Sequence, residues 1–566
     1  MGRMLTHAAL FLFLTASPLP QTASAEDLRT LYDVETYRLD LAVDPRTRTL
    51  TGTVAIEAKV VGPALSRLVL DLKPPFVVQS VTELADAVDP QAPLVGKPLA
   101  FEHKAAALSV LLEDGKKRGD VFRLAVAYSG KPVAENSFDG FHWKKTAEGK
   151  PWISTSSQGT GSSAWWPCKD SYFHPEDKPE RIFVNLTVPD GLTGVSNGRL
   201  TGRVKSAEGT ETFHWVHEYP CETYAIAIAA APYVQVDDEL AIEGSDEKLP
   251  YSYWVLPESA EKAKLQFQDV PRMLEIFTKA FGPFPFPKSK FGLVETSFFG
   301  MEHSTCIAYG SSFPAWCKAN NEVDPHSFQN ARFDYILVHE TAHEWWGNAV
   351  SAKTWGDFWI HEGFATYAEA VYLEELEGYD VAQEHLESLR GQIGKDSRLY
   401  RGENLDSGEA YAGVLYAKGA WVLHTLRGYV DDEEAWWKTL RDFYAAFRYR
   451  NADTEDFRAI LEANTGKNWK TFFDEWVRGE GYPVLSGTVT RKPKGLVIQL
   501  KNQGSSKTGF HVPLDVTWKE ASEAKSQRFE LVPGDNRFEV ACKSRPNGIE
   551  IVGLEDLLVE RKILFD

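Results

Sequence analysis

A regular alternation of apolar and polar positions runs from about residue 36 to residue 236 and predicts β-strands. Pairs of turn-forming residues, such as Asp44-Pro45 and Asn197-Gly198, separate successive runs. Short strands with regular turns between them are typical of an antiparallel β-saddle or β-sandwich. The clearest runs span residues 37–43, 51–60, 121–128, 181–188 and 224–236.

After Pro250 the apolar positions recur with the period of an amphipathic α-helix. The first helical window ends at residues 282–287, a run of alternating prolines that stops a helix. A few strands are expected near residues 291–295. The helical windows cover residues 258–281, 331–346, 358–377, 381–393, 414–430, 432–448 and 453–464, which predicts a mainly helical domain.

Period-two alternation returns beyond Gly481, for example over residues 496–500 and 512–518, and predicts a small C-terminal β-sandwich. The fold class is therefore α+β with several domains, which suits a chain of 566 residues. We predict a signal peptide at 1–25, an N-terminal β-domain at 26–238, the helical domain at 239–481 and the C-terminal domain at 482–566.

The first 25 residues have the pattern of a secretory signal. Arg3 precedes the apolar stretch 8–16, and the small residues Ala23 and Ala25 form a cleavage site. The apolar stretch is too short to span a bilayer, so we expect no membrane span. A secreted or periplasmic protein follows from this interpretation.

The composition narrows the classes of function. A hydrophobic content of 43% excludes a disordered chain, and a net charge of −19 argues against nucleic-acid binding. Five cysteines in a chain of this size do not make a disulfide framework. Cys306 and Cys317 are close enough in sequence to pair across a loop, and an equally good interpretation is that all five cysteines are small, buried, free thiols.

The candidate chemistry begins with His339-Glu340-Thr341-Ala342-His343, an HExxH pattern. Residues four apart share one face of a helix, so both imidazoles can bind one metal ion. Glu340 lies beside them and can hold a water molecule. Because HExxH arises by chance in roughly 3 of 100 chains of this length, the motif alone does not decide the matter.

The next predicted helix supplies a third candidate ligand, Glu362, with 18 residues between it and His343. Two histidines and one glutamate, with a fourth position left for water, make the catalytic form of a zinc site. Glu362 also stands among aromatic residues, where a carboxylate needs a partner such as a metal. The sequence therefore predicts one Zn²⁺ per chain, bound by His339, His343 and Glu362.

The stretch 339–369 resembles the HExxH-(18 residues)-E segment of the aminopeptidase N family of gluzincin zinc metallopeptidases, which also contains leukotriene hydrolase. Three other segments are similar to motifs of that family and occur in the same order: Trp-Pro-Cys-Lys-Asp from Trp166, Phe-Gly-Met-Glu-His from Phe299, and Tyr-Ala-Lys-Gly-Ala from Tyr416. The resemblance implies a thermolysin-like catalytic domain between the two β-domains.

The resemblance also implies roles for individual residues. Glu340 would be the general base, and Tyr416 would donate a hydrogen bond to the developing oxyanion, with Tyr411 as a second candidate. Glu302 would pair with the free α-ammonium of a peptide, in a substrate site that includes Gly300, Met301 and Gln158. Gln158 stands where the family usually has a second amine-binding glutamate, and His303 stands where it has asparagine.

We therefore predict a zinc aminopeptidase that removes N-terminal residues from short peptides with a free N-terminus. Two alternatives stay open at this point. One is an epoxide hydrolase of the leukotriene hydrolase type that uses the same site, and the other is an inactive peptide-binding module. The intact set of candidate catalytic residues argues against the second.

Overall fold

The computed structural model describes residues 27–171, 174–241, 248–322, 324, 332–403, 405, 407–411 and 414–566. The predicted signal peptide lies outside the described residues. No helix in these ranges is long and apolar enough to cross a bilayer. The molecule consists of an N-terminal β-region, a helical region and a C-terminal β-region, which confirms the predicted fold class.

The N-terminal region is made of antiparallel and mixed β-sheets. An eight-stranded sheet has the order β13-β14-β11-β1-β2-β8-β4-β5, and a four-stranded sheet has the order β12-β15-β10-β9. The strands are β1 (Tyr32–Asp44), β2 (Thr49–Val60), β3 (Ala64–Asp71), β4 (Val77–Leu84), β5 (Gly96–Pro98), β6 (Phe101–Lys104), β7 (Ala107–Lys117), β8 (Val121–Gly130), β9 (Gly140–Lys145), β10 (Pro151–Ser156), β11 (Arg181–Pro189), β12 (Thr193–Ser196), β13 (Arg199–Ser206), β14 (Thr210–His217), β15 (Ile228–Ala231), β16 (Val234–Ala241) and β17 (Lys248–Val255).

The helical region follows and contains short strands that complete a five-stranded sheet, β16-β17-β18-β20-β19. The strands of the helical region are β18 (Phe291–Glu295), β19 (Gly300–Met301) and β20 (Ile307–Tyr309), together with the separate pair β21 (Val350–Ala352) and β22 (Arg450–Ala452). Its helices are α1 (Ala260–Gln266), α2 (Val270–Phe281), α3 (Pro314–Asn320), α4 (Tyr335–Ala342), α5 (Trp359–Glu377), α6 (Tyr379–Leu389), α7 (Ser407–Ala410), α8 (Leu415–Val430), α9 (Glu433–Phe447), α10 (Thr454–Thr465) and α11 (Lys470–Phe472).

The C-terminal region is a pair of small sheets with the orders β27-β24-β23-β29 and β26-β25-β28. Its strands are β23 (Pro483–Lys492), β24 (Gly495–Gly504), β25 (Val512–Glu520), β26 (Glu523–Leu531), β27 (Gly534–Ala541), β28 (Asn547–Val552) and β29 (Glu560–Phe565). Buried side chains of these strands, such as Leu485 and Val516, belong to the same core as the helices. The N-terminal sheets have a separate core.

The sequence pattern over residues 258–281 predicted one helix, and this prediction is wrong. The structure has two helices, α1 and α2, with a 3-10 turn at Phe267–Asp269 between them. Pro271 is the second residue of α2. A proline has no N–H to donate to the preceding turn, so the hydrogen bonds of a single helix cannot continue through it.

All five cysteines are buried and free, including Cys306 and Cys317. The two thiols therefore do not form the disulfide that their spacing allowed. Burial raises the pKa of the Cys306 thiol to about 11, so the thiol is protonated at neutral pH. The buried-thiol interpretation is the correct one of the two alternatives.

Candidate active site

The three predicted metal ligands lie together on two adjacent helices. His339 is on α4, His343 is the residue that closes α4, and Glu362 is in the first turn of α5. Asp334 caps the N-terminus of α4, and its carboxylate accepts a hydrogen bond from the Leu337 N–H. This cap fixes the start of the helix. Because His339 and His343 are four residues apart, both imidazoles extend from the same face.

The ligand atoms form a nearly equilateral triangle. The two Nε2 atoms of His339 and His343 are 3.2 Å apart, and Oε2 of Glu362 lies 3.3 Å from the first and 3.4 Å from the second. A tetrahedral zinc ion with bonds of about 2.0–2.1 Å has ligand atoms about 3.3 Å from one another. The donor set and its dimensions therefore fit zinc.

Further hydrogen bonds orient the two imidazoles. Nδ1 of His339 lies 2.8 Å from Oε1 of Glu369, and Nδ1 of His343 lies 2.8 Å from the carbonyl oxygen of Trp346. Because a carbonyl oxygen only accepts, His343 carries its proton on Nδ1 and has a lone pair on Nε2. Such partners hold a ligating histidine in one tautomer and one orientation.

Glu340 points into the same site, although it is not one of the three candidate metal ligands. One of its carboxylate oxygens lies within 4.8 Å of a carboxylate oxygen of Glu302 and of a ring nitrogen of His343. Its Oε2 atom is buried and makes no hydrogen bond within the described part of the chain. Burial raises the pKa of Glu340 to about 8, whereas the two imidazoles of His339 and His343 act to lower it. The unpartnered oxygen has a free position for a hydrogen bond from a water molecule.

Tyr416 lies against the metal site. Its ring stacks on that of His339, with centroids 5.9 Å apart and an angle of 24° between the planes. Burial and the charge of Glu362 raise the pKa of the Tyr416 phenol well above its ordinary value. The phenol is therefore protonated and can donate a hydrogen bond to a substrate oxygen.

Tyr411 is also at the site, close to Glu362, Glu302 and Tyr416. Its hydroxyl is buried and has no hydrogen-bond partner among the residues that the structure describes. Its ring packs edge-on against Phe358, with centroids 5.3 Å apart. The carboxylates of Glu362 and Glu302 add to burial in raising the pKa of this phenol. Both phenols are protonated at neutral pH, and which of them donates to a substrate oxygen stays a prediction.

Glu302 lies at the edge of the five-stranded sheet, directly after β19, and is 2% exposed. Its Oε1 atom accepts hydrogen bonds from Nε2 of Gln158 at 2.8 Å and from the Tyr224 hydroxyl at 3.2 Å. The Gln158 amide also donates to Oε1 of Glu362 at 3.2 Å. The neutral amide of Gln158 therefore bridges the candidate amine anchor and the candidate metal ligand.

The sheet register explains why Gln158 and Tyr224 meet. Gln158 follows the end of β10, and Tyr224 precedes the start of β15. These two strands are antiparallel neighbours, so the end of β10 and the start of β15 lie side by side at the same end of the strands. This end faces the helical region and brings both side chains to Glu302.

The remaining residues of the predicted substrate site are buried around Glu302. Met301 is 1% exposed and belongs to the core, so its role in substrate binding stays a prediction. A Cβ atom at Gly300 would lie 2.6 Å from Oε1 of Glu340, so glycine lets the carboxylate approach the backbone. Burial lowers the pKa of His303 to about 3, so this residue does not titrate near neutral pH.

Comparison with known proteins agrees with this geometry. Residues 33–225 match the Peptidase M1 N-terminal domain, and residues 265–476 match the Peptidase family M1 domain. The second match contains all three candidate metal ligands together with Glu340 and Glu302. The chain belongs to peptidase family M1.

Curated M1 relatives have low identity to the chain but align with most of it. Aminopeptidase M1 of Arabidopsis thaliana is 24% identical over 80% of the chain and 51% of its own length. Aminopeptidase B of Mus musculus is 26% identical over 81% of the chain and 71% of its own length. Aminopeptidase 2 of Saccharomyces cerevisiae is 24% identical over 97% of the chain and 58% of its own length. The chain thus spans little more than half of two of these relatives.

Solved M1 structures share the fold. The M1 zinc metallopeptidase of Deinococcus radiodurans superposes with a TM-score of 0.63 at 23% identity, over 80% of this chain and 94% of that one. A mutant of that enzyme bound to a Tyr-Ser-Ala substrate superposes with the same TM-score of 0.63, at 23% identity and over 80% and 95% of the two chains.

Two glycines set the distance between the helices that carry Glu362 and Tyr416 in this M1 chain. Gly363 on α5 faces Gly419 on α8, and a Cβ atom added to Gly419 would lie 2.5 Å from the Cα atom of Gly363. A Cβ atom at Gly363 would lie 2.8 Å from the Cα atom of Gly419. The helix backbones therefore touch at a point one residue after Glu362 and three residues after Tyr416.

We expect Gly419→Ala to lower both stability and turnover. The added methyl meets backbone atoms that cannot turn aside, so α8 must shift, at a cost of about 1–3 kcal/mol in the free energy of unfolding. The shift moves Tyr416 away from His339, which we expect to lower kcat by roughly tenfold to a hundredfold. The measurements are the thermal midpoint and kcat.

The control is Gly428→Ala on the same helix. A Cβ atom there would meet the Leu557 side chain at 3.2 Å and Cβ of Asp556 at 3.6 Å, and side chains can adjust. Alanine is also the better helix former. A Gly419→Ala variant that retained the kcat of the Gly428→Ala control would contradict the proposed spacing role.

Sequence reasoning missed several residues of the site, notably Glu369, His385 and Tyr224. Glu369 binds Nδ1 of His339 and also accepts a hydrogen bond from Nε2 of His385 at 2.8 Å. It lies seven residues after Glu362 on the same helix, so helical periodicity alone places it on the same face. Tyr224 is 78 residues from Glu302, and no local pattern links the two.

Proposed function

We propose that the chain is a zinc-dependent aminopeptidase that removes N-terminal residues from short peptides, with one zinc ion per chain. The observation that carries the proposal is the position of Glu302 beside the catalytic set. Its carboxylate lies within 4.8 Å of a carboxylate oxygen of Glu340 and of a ring nitrogen of His343. A substrate whose ammonium group pairs with Glu302 therefore has its first peptide bond near the metal ligands and the general base.

Each residue of the site has a distinct task in this proposal. His339, His343 and Glu362 would hold the zinc ion, which would supply a Lewis acid for the scissile carbonyl and for the attacking water. Glu340 accepts the proton of that water and passes it to the leaving amine. Tyr416 donates a hydrogen bond to the carbonyl oxygen as negative charge develops there.

Glu302 makes the site that of an exopeptidase. A carboxylate in a closed site pairs strongly with an α-ammonium group. An internal residue of a peptide has no such group, so cleavage is restricted to the first peptide bond. The M1 relatives with "aminopeptidase" in their names support this choice. The names of these relatives favour peptide hydrolysis over epoxide hydrolysis and over a binding module without activity.

The location of the protein is a further part of the proposal. The apolar stretch 8–16 and the small residues before Glu26 support the proposal that the protein is exported to the periplasm or the medium. Short peptides with a free N-terminus are present in both. Sequencing the N-terminus of the mature protein isolated from its native source tests this part, and a mature protein that retains Met1 contradicts it.

The test of the activity uses metal analysis and a set of matched substrates. We expect the parent to contain one zinc per chain and to hydrolyse fluorogenic aminoacyl amides, but not their N-acetylated forms. Glu362→Ala should lose zinc and activity together. The control Glu375→Ala removes an exposed carboxylate of the same helix, which pairs with Lys279, and should keep both.

Two outcomes would overturn the assignment. Full zinc occupancy in Glu362→Ala would remove Glu362 from the ligand set. Cleavage of blocked peptides at internal bonds, with no preference for a free N-terminus, would indicate an endopeptidase.

Tyr416→Phe should lower kcat with little change in KM. The phenol is proposed to act only when the carbonyl oxygen gains charge, so its loss is felt in the transition state and not in ground-state binding. Removal of one such donor costs about 10²–10³ in kcat. Tyr411→Phe is the matched variant, and a loss of kcat in Tyr411→Phe with kcat retained in Tyr416→Phe would reverse the two assignments.

A further inference from the structure

A chain of hydrogen bonds leads from the backbone of β21 to the carboxylate of Glu302. The Ala352 N–H donates to Nε2 of His361 at 2.8 Å. Nδ1 of His361 lies 3.2 Å from the Tyr224 hydroxyl, and this hydroxyl lies 3.2 Å from Oε1 of Glu302. The three side chains are all 2% exposed or less.

The Ala352 N–H at the start of this series fixes the donor and the acceptor of every hydrogen bond in it. An N–H group only donates, so Nε2 of His361 is an unprotonated acceptor and the ring proton is on Nδ1. The Nδ1–H group therefore donates to the Tyr224 oxygen, and the Tyr224 hydroxyl donates to Glu302. Each group has one role, so the phenol proton is directed at the carboxylate and not away from it.

The packing around His361 keeps its ring in this position. The ring lies against that of Phe358, with centroids 4.0 Å apart. On another side a Cβ atom at Gly347 would be 3.2 Å from Nδ1 of His361 and 3.3 Å from Nδ1 of His343. Gly347 has a φ of +125°, a conformation that favours glycine. The glycine thus lets both imidazoles pack on its backbone.

We propose that Tyr224 and His361 are positioning residues that orient Glu302 for the α-ammonium group of the substrate. This inference rests on the proposed aminopeptidase function and adds residues to it. Tyr224 and Gln158 both donate to Oε1 of Glu302, so the plane of the carboxylate is fixed before substrate arrives. Its second oxygen then points in one direction, so less conformational entropy is lost when the ammonium group binds.

The series of hydrogen bonds from Ala352 to Glu302 also connects amine recognition to the metal site. His361 precedes the candidate ligand Glu362 on α5, and Ala352 is on the strand that follows the loop after α4. A peptide must place its ammonium at Glu302 and its first carbonyl at the metal at the same time. Residues that fix Glu302 relative to α5 therefore set the distance between these two contacts, which is a requirement of exopeptidase geometry.

The experiment measures recognition of the amine by inhibitor binding and compares it with turnover. The probes are an α-amino hydroxamate and the analogue that lacks the amino group, both of which bind the metal. The readout is the ratio of their inhibition constants in zinc-loaded enzyme, together with KM and kcat for a free-amine substrate. The variants are Tyr224→Phe and His361→Phe, each alone and in a Glu302→Gln background.

The control is Tyr233→Phe. This tyrosine is also buried, and its hydroxyl donates to the Glu295 carbonyl oxygen at 2.7 Å, away from the site. We expect Tyr224→Phe to reduce the preference for the amino probe about tenfold, since a hydrogen bond to a charged group is lost. KM should rise more than kcat falls. His361→Phe should change the ratio in the same direction, and Tyr233→Phe should not change it.

The double variants separate an effect on Glu302 from general damage. If Tyr224 acts through Glu302, Tyr224→Phe has no further effect on the ratio once Glu302 is glutamine. An unchanged ratio in Tyr224→Phe, or equal losses with and without Glu302, would overturn the positioning role. Failure of the proposed function gives another result, because the parent itself would then bind both probes equally well.

Discussion

Glu340→Gln should abolish turnover and leave the zinc content unchanged. Glutamine has nearly the same shape as glutamate but cannot accept a proton, and Glu340 is outside the triangle of ligand atoms formed by His339, His343 and Glu362. The role of a general base is usually worth about 10²–10⁴ in rate. We expect kcat to fall by at least about a hundredfold, with the thermal midpoint and the metal stoichiometry close to those of the parent.

The structure strengthens the case for this residue in one respect. Oε2 of Glu340 is a buried oxygen without a hydrogen bond inside the described part of the chain. Such an atom is costly unless water or substrate supplies the missing partner. A variant within about tenfold of the parent would assign the proton transfer to another group. Loss of zinc in Glu340→Gln would instead show that the carboxylate supports the metal site.

The metal ligands could be predicted because local geometry determines most of their arrangement. Residues four apart on one helix share a face, so His339 and His343 needed only a helical window and a spacing. Glu369 could have been found in the same way, because it is two helical turns beyond Glu362. Glu362 was predicted from its distance in sequence and its aromatic surroundings, but periodicity does not state how α4 and α5 pack, since nothing local fixes the packing of two helices.

The amine site could be predicted only in part. Resemblance indicated Glu302 and Gln158, but the contact between them joins the edge of an N-terminal sheet to the edge of a second sheet. The antiparallel register of β10 and β15, which brings Tyr224 to the same place, is a long-range pairing. Side-chain alternation predicts strands but does not state which strands are neighbours.

Helix ends were predicted less well than helices. The window at residues 331–346 is reduced to α4, Tyr335–Ala342, because the Asp334 carboxylate caps the helix at that point. The window at 453–464 agrees closely with α10, Thr454–Thr465, where Asp453 and Asp456 form a capping box. Capping residues therefore defined boundaries where hydrophobic periodicity alone could not.

Glu302→Gln should strongly reduce cleavage of substrates with a free N-terminus. Glu302 is the carboxylate that we expect to bind the α-ammonium group, since the residue at the other family position is the neutral Gln158. A charge-assisted hydrogen bond contributes about 1.5–3 kcal/mol, and its loss should lower kcat/KM about tenfold to a hundredfold or more. N-acetylated forms of the same peptides, already poor substrates, should be affected much less.

The measurement is the ratio of kcat/KM for free and acetylated peptides in the parent and in Glu302→Gln. This ratio isolates amine recognition, because damage to the metal site lowers both values together. Glutamine keeps the size of the side chain and can still accept the Tyr224 and Gln158 hydrogen bonds through its carbonyl oxygen, so the site should stay folded. A ratio unchanged by the substitution would mean that Glu302 does not bind the N-terminus, and an endopeptidase would then be the better assignment.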